Sequence, residues 1–374
     1  MFYIFVESKI KNNKMKKIFI SLFLLIISLS IKAQSNDDLI NLLIKNGSIT
    51  KQQGDSLKAK SSSEKKANFV EAGSKIKLAG YTQLRYRQFD EQGKIDQFDI
   101  RRARLDIKGA ISPRWNYRLQ VEFANSVKLL DAYAEYKLND YLNVTLGQAK
   151  IPFSLENLAS SSKLDLIDRS QVVEALVGRG KDVIGNHSGR DIGVQVGGTI
   201  FKYEGRAFVD YKIGVFNGQG INTGDNNQHK DIAARLIFHP IKGLDISGAI
   251  YDGEANIASV NSKRDRYGFD FNYSWQNLTF SSEYIHGEDG QNTKEGFYLQ
   301  TGYYFLDKKL QIVAKYDTYD ADKAVSDNTS TLYVLGATYN FNNNARFQIN
   351  YTIKEEQGIS VDNNYAAAQF QIRF

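Results

Sequence analysis

The chain has 374 residues, a net charge of +6, 22 Tyr, 22 Phe, 29 Gly, three Pro and no Cys. The missing cysteine excludes disulfides, thiolate metal sites and cysteine nucleophiles together. His187, His229, His239 and His286 lie too far apart in sequence to read as a metal site, and no basic block reads as a nucleic-acid arm.

The first element in chain order is the apolar run from Ile18 to Ile31. It is shorter than the roughly 20 residues that a bilayer-spanning helix needs. Lys14, Lys16 and Lys17 precede it and Lys32-Ala33 follows, the layout of a secretory signal peptide. Residues 1–33 are therefore expected to be cleaved after Ala33, with Met15 the expected translation start. Over 34–73 the pattern turns helical and then flexible. Leu39, Leu42 and Leu43 recur at helical spacing, Gly47 offers a stop, and Thr50 with Gln53 has the form of a capping box. Gly54 weakens the second helix, and residues 61–66 read as a linker. This segment is expected to be a periplasmic spacer or small helical hairpin, or else a periplasmic oligomerisation or docking element.

From residue 74 to 374 the period changes to two. Trp115, Tyr117, Leu119, Val121 and Phe123 alternate with Asn116, Arg118, Gln120 and Glu122, the signature of a strand with two differently solvated faces. Sixteen such runs begin near residues 75, 98, 114, 130, 141, 191, 205, 231, 243, 265, 277, 296, 309, 331, 344 and 365. Short turns are expected near 112–113, 139–140, 240–242, 276, 307–308 and 342–343. Long loops are expected near 90–97, 151–190, 218–230, 253–264, 287–295, 320–330 and 355–364. Short turns at one end and long loops at the other fit an outer-membrane barrel. The fold class is thus all-β, a 16-stranded antiparallel transmembrane β-barrel with a short N-terminal helical periplasmic segment. Trp115, Tyr117, Tyr136, Tyr273, Trp275, Tyr303, Phe305, Tyr339, Phe341 and Phe374 share the apolar parity near the short turns, as an interface girdle in contact with outer-membrane lipid requires. A final strand ending on Phe374 resembles the signal read by the barrel assembly machinery. The mean hydropathy of −0.41 is compatible with a membrane barrel, because the lumen face is polar.

Extending the parity assigns basic residues to the lumen. Arg85, Arg87, Arg102, Arg104, Lys108, Arg118, Arg206, Arg235 and Arg346 are the expected pore-lining set. The full inward tally is sixteen bases against nine acids, a fixed positive excess that lowers the barrier for anions. Phe98 and Ile100 break the parity of their strand, which predicts a bulge or a loop-packed upper end there. The loop over 151–190 carries its own apolar residues and is expected to fold inward and narrow the lumen. Its bases are Lys163, Arg169, Arg179, Lys181 and Arg190, balanced by five acids. No GxSxG elbow, Walker loop, HExxH or EF-hand loop occurs, so the reading includes no enzymatic activity, cofactor or metal.

The segments FDIRRARLDIKGAISPRWNYRLQVEF (98–123), LLDAYAEYKL (129–138), LGQAKIPFSLENLASSSKLDLIDRS (146–170) and GRDIGVQVGG (189–198) resemble the phosphate-selective porin O and P family. The RRARL and GQxKxPFSLE blocks are the specific parts. The resemblance implies a sixteen-stranded, usually trimeric channel whose third outer loop enters the lumen. It also implies a phosphate path along wall arginines, here Arg85, Arg102, Arg104 and Arg118. The constriction loop, with Arg169, Arg179, Lys181 and Arg190, is less basic than that family's pattern. The expected function is passive diffusion of small hydrophilic solutes, anions and phosphate among them. The alternative is a receptor or adhesion barrel that binds a partner through its loops with a blocked lumen.

Overall fold

The computed structural model describes residues 36–47, 49–56, 58, 76–257 and 259–374. The signal-peptide region and the linker at 61–66 lie outside the described residues. Residues 1–74 and 75–374 form two separate units.

In the first unit, α1 spans Asn36–Lys45 and helix resumes over 51–56. Thr50 N–H donates to Gln53 Oε1 at 2.9 Å and Gln53 N–H donates to Thr50 Oγ1 at 3.2 Å, the reciprocal bonds of a capping box. Gly54, a weak helix former, sits where a Cβ would lie 2.4 Å from Ile44 Cδ1. The missing side chain lets the second helix approach the first.

The second unit is a closed antiparallel barrel. Its strands are β1 (Lys77–Phe89), β2 (Gln97–Ala110), β3 (Trp115–Glu122), β4 (Lys128–Lys137), β5 (Asn143–Lys150), β6 (Arg190–Tyr203), β7 (Arg206–Phe216), β8 (Asp231–Phe238) and β9 (Leu244–Asp252, resuming past Gly253 as Glu254–Ile257). They continue as β10 (Val260–Trp275), β11 (Leu278–Asp289), β12 (Asn292–Phe305), β13 (Leu310–Asp320), β14 (Thr329–Asn340), β15 (Ala345–Glu356) and β16 (Tyr365–Arg373). Each pairs with the next, and β1 pairs with β16 from Tyr81↔Arg373 to Phe89↔Tyr365, so no edge is left open. Closure satisfies every ladder internally, which a sheet in lipid requires.

The burial pattern is inverted relative to a water-soluble core. On β13, Gln311, Lys315 and Asp317 are buried while Ile312 and Tyr316 face outward. An apolar outer face and a polar inner face are the arrangement of a barrel that stands in lipid. The girdle forms as expected: Trp115 packs on Tyr136 at 4.9 Å, Tyr303 on Phe305 at 4.8 Å and Tyr339 on Phe341 at 5.1 Å between ring centroids.

Connections at the girdle end run to at most five residues. At the other end two expected loops are absent. Residues 254–257 and 260–263 pair as a hairpin above β9 and β10, and β11 runs to Asp289 before a turn at Gly290. These strand ends stand above the apolar belt, where both faces meet water. Alternation therefore disappears from the sequence although the ladder continues.

Candidate functional site

Chain direction places the connection of residues 151–189 third at the long-loop end, and its side chains pack onto the lumen face. Ile151, Phe153, Val172, Val173, Ala175, Leu176 and Val177 form one buried apolar cluster with Phe216 (β7), Ala233 (β8), Ala249 and Tyr251 (β9) and Ile285 (β11). Inward-facing glycines make the seat. A Cβ at Gly268 would lie 3.4 Å from Phe153, at Gly287 2.9 Å from Leu176, and at Gly296 3.0 Å from Val172. At Gly336 it would lie 2.4 Å from Leu166.

Two wall carboxylates hold the loop's short helices, α2 (Leu155–Leu158) and α3 (Gln171–Leu176). Glu283 accepts from the N–H groups of Leu155 and Glu156 at 3.0 and 3.3 Å, and Asp317 accepts from Gln171 N–H at 3.0 Å. First-turn amides lack intrahelical partners, and negative charge there is favourable. Asn157 ties the two ends of the loop together. Its Nδ2 donates to Phe153 O and Gly189 O at 3.2 and 3.1 Å, and its Oδ1 accepts from Arg179 at 2.7 Å. Gly189 has φ +66°, and a Cβ there would lie 1.8 Å from Asn157 Oδ1, so only glycine fits.

The expected pore-lining residues divide into three groups. Arg235 lies beneath the loop, ion-paired to Asp270 at 2.7 Å, with 4% of its side chain exposed. Arg206 donates to Pro240 O at 3.0 Å, and Arg346 to Leu164 O at 3.0 Å, so both hold backbone. The remaining six stand on β1, β2 and β3. Arg85 and Arg87 approach Asp99 at 2.6 and 3.4 Å, Arg104 meets Glu122 at 2.7 Å, and Lys108 meets Asp106 at 3.2 Å. Arg118 bridges Asp106 at 2.8 Å and Asp131 at 3.2 Å. Arg102 donates to Gln83 Oε1 at 3.1 Å and has no carboxylate partner among the described residues.

The bulge falls at Arg101: Gln83 pairs with Arg102 and Leu84 with Ile100. The extra residue turns a second arginine inward, where Arg101 meets Asp168 at 2.7 Å. Parity alone missed Arg101, because a bulge breaks the period that parity relies on.

The loop's bases are placed differently from one another. Arg169 donates to the carbonyls of Glu156 and Ala159 at 2.9 and 3.1 Å, and Arg179 donates to Asn157 and Ser188. Both are buried inside the loop, and burial draws Arg169 down to about 10. Arg190 opens β6 and pairs with Asp131 at 2.7 Å. Lys181 and Lys163 are exposed. Burial pushes the Asp168 carboxyl up, but Arg101 and Arg85 outweigh it and hold the group below its usual range.

Between the loop and the β1–β3 wall lies a cavity of about 560 Å³. Seven basic residues line it: Arg104, Lys108, Arg118, Lys150, Lys163, Arg190 and Arg373; the acid among its lining residues is Asp106. Lys150 is absent from the sequence-derived set because it shares the parity of Val144 and Leu146, the apolar face of that strand. Lys163 also lines a second cavity of about 240 Å³ on the opposite side of the loop, beside Asp165, Asn272, Ser281 and Gln300.

Residues 76–249 match the family model described as phosphate-selective porin O and P, which bears out the resemblance read from the sequence. No curated protein matches the chain. Among solved structures, the Salmonella typhi OmpF complex with daunomycin aligns with TM-score 0.60 and 12% identity, over 80% of this chain and 97% of that one. The outer membrane channel DcaP of Acinetobacter baumannii aligns with the same score, identity and coverages. OmpT of Vibrio cholerae in a trimer form aligns with TM-score 0.57 and 12% identity, over 80% of this chain and 99% of that one. At these identities the likeness to the solved structures is one of fold.

Proposed function

We propose that this bacterial outer-membrane porin passes small hydrophilic solutes by passive diffusion, favours anions, and takes phosphate among them. The observation that carries the preference is the cavity with seven basic lining residues against Asp106 in the lining and Glu122 and Asp131 paired behind it. Fixed positive charge in a narrow aqueous passage lowers the entry barrier for anions. Phosphate suits the site because guanidinium groups present forked donors to its oxygens. In this reading Arg104, Arg118 and Lys163 contact the passing ion, and Arg101 with Arg102 receives it from above. Arg169 and Arg179 shape the loop without meeting solute. Lys181 and Arg206 serve as peripheral charges, and Phe374 is the end read by the assembly machinery. The working unit is a homotrimer, in keeping with the trimer form of the Vibrio cholerae protein.

Single-channel recording across a salt gradient tests this reading. The expected result is discrete conductance steps with a reversal potential displaced toward the anion, and chloride current reduced by added phosphate. Lys163→Glu should move the reversal potential toward cations. Cation preference in the unaltered protein would overturn the selectivity, and absence of conductance from folded protein would favour the receptor alternative.

A further inference from the structure

The loop has a second anchor, chemically unlike the apolar one. Residues 161–167 cross to the β12–β16 and β1 wall, where neutral side chains grip their backbone. Gln83 donates to Ser161 O at 3.2 Å, Gln371 to Ser162 O at 3.3 Å, and Gln348 to Asp165 O at 2.9 Å. Asn350 accepts from Ile167 N–H at 3.2 Å. These amides are also bonded to one another. Gln83 donates to Gln371 at 2.8 Å, and Gln369 donates to Gln348 at 3.0 Å. Gln83, Gln348, Gln369 and Gln371 are each at most 2% exposed.

We infer that this glutamine ladder is a clasp that positions the loop segment 161–165, Lys163 included, and thereby sets the cross-section of the passage. The inference rests on the channel reading above.

The chemistry of the residues supports a positioning role. Each glutamine combines a donor and an acceptor in one neutral group, so the ladder can bond to itself and still present N–H to the loop carbonyls. Glutamate could supply no donor there. Gln83 joins the two systems, because its oxygen accepts from Arg102 while its nitrogen holds Ser161. A neutral hydrogen bond contributes about 1 kcal/mol net, less than burying one large aliphatic side chain of the apolar anchor, which contributes about 1.5–3 kcal/mol. The clasp side, whose apolar contacts are Leu164, Leu166 and Ile167, is therefore the weaker of the two holds on the loop. Lys163 lies within the gripped segment and lines the cavities on both sides of the loop.

The test uses full-length protein refolded as a barrel and recorded in single channels. Gln348→Leu with Gln371→Leu removes donors without adding charge. The expected result is added open-channel flicker to a higher conductance level. The ratio of released to held dwell time should rise roughly five-fold per donor removed, the factor that corresponds to about 1 kcal/mol of net hydrogen-bond energy. The reversal potential of the held level should stay where it was, and that of the released level should move toward cations as Lys163 leaves with the segment. Because the chain has no native cysteine, Ser162→Cys with Gln371→Cys provides a complementary variant. Oxidation should suppress the flicker and reductant should restore it. Folded leucine variants with unaltered dwell times and conductance, together with an oxidised pair that changes nothing, would overturn the clasp while leaving the channel intact. Absence of conductance in the unaltered protein would instead overturn the channel reading.

Discussion

The two halves of the barrel wall carry similar charges in different surroundings. On β8 and β10, under the loop, Arg235 pairs with Asp270 and Arg264 pairs with Asp182, all with at most 4% side-chain exposure. On β2 and β3, facing the cavity, Arg118 pairs with Asp106 at 23% and 13%, and Lys108 is half exposed. An arginine–aspartate pair sealed from water fixes structure, since separating it leaves an uncompensated buried charge. The same pair beside an open cavity is exchangeable, and in the proposed reading its arginine turns to a passing anion. Water access, set by where the loop lies, decides which role a charge takes.

The comparison can be broken by removing one arginine from each half. Arg235→Met leaves Asp270 buried without its partner and should destabilise the barrel by about 3–5 kcal/mol, read as a lowered denaturant midpoint on unfolding from detergent micelles. A loss under 1 kcal/mol would mean that water reaches the covered half. Arg118→Gln should cost less than Arg235→Met by the same measurement, because Asp131 keeps Arg190 as a partner, yet shift the reversal potential toward cations. A large stability loss with unchanged selectivity would reverse the assignment of that wall.

The smallest expected effect lies at the turn between β8 and β9. His239 meets Asp245 at 2.6 Å and Asp210 at 3.1 Å. Burial lowers its pKa, but the hydrogen bonds and charges of the two carboxylates outweigh that, leaving it above the ordinary value. Its folded pKa being raised, the contribution to stability is full below the unfolded value near 6.5 and is lost as pH rises through the folded one. His239→Gln should therefore narrow the stability difference between mildly acidic and alkaline pH. An unchanged pH dependence would remove His239 from the account.

Legibility followed the membrane. Within the apolar belt, alternation located all sixteen strands, because lipid on one side and water on the other force period two. Above the belt the signal failed at 254–263 and at 287–289, where both faces are wet. At Arg101 it failed for another reason: one inserted residue shifts parity, and the lead-in Phe98 and Ile100 marked the bulge without naming its residue. The loop's apolar residues signalled that it folds, but not onto which strands. The glycine seat at Gly268, Gly287, Gly296 and Gly336 looks, in sequence, like any other scatter of strand glycines.

The sequence by itself determined the barrel, its strand count, its orientation of polar and apolar faces, and the family to which residues 76–249 are matched. These are consequences of local periodicity and of short motifs, and both are written along the chain. Only the tertiary structure decided which lumen charges are sealed and which are open. That depends on where one long loop docks, and the docking joins residues such as Gln83 and Ser161, or Arg264 and Asp182, whose separation in sequence carries no period to read.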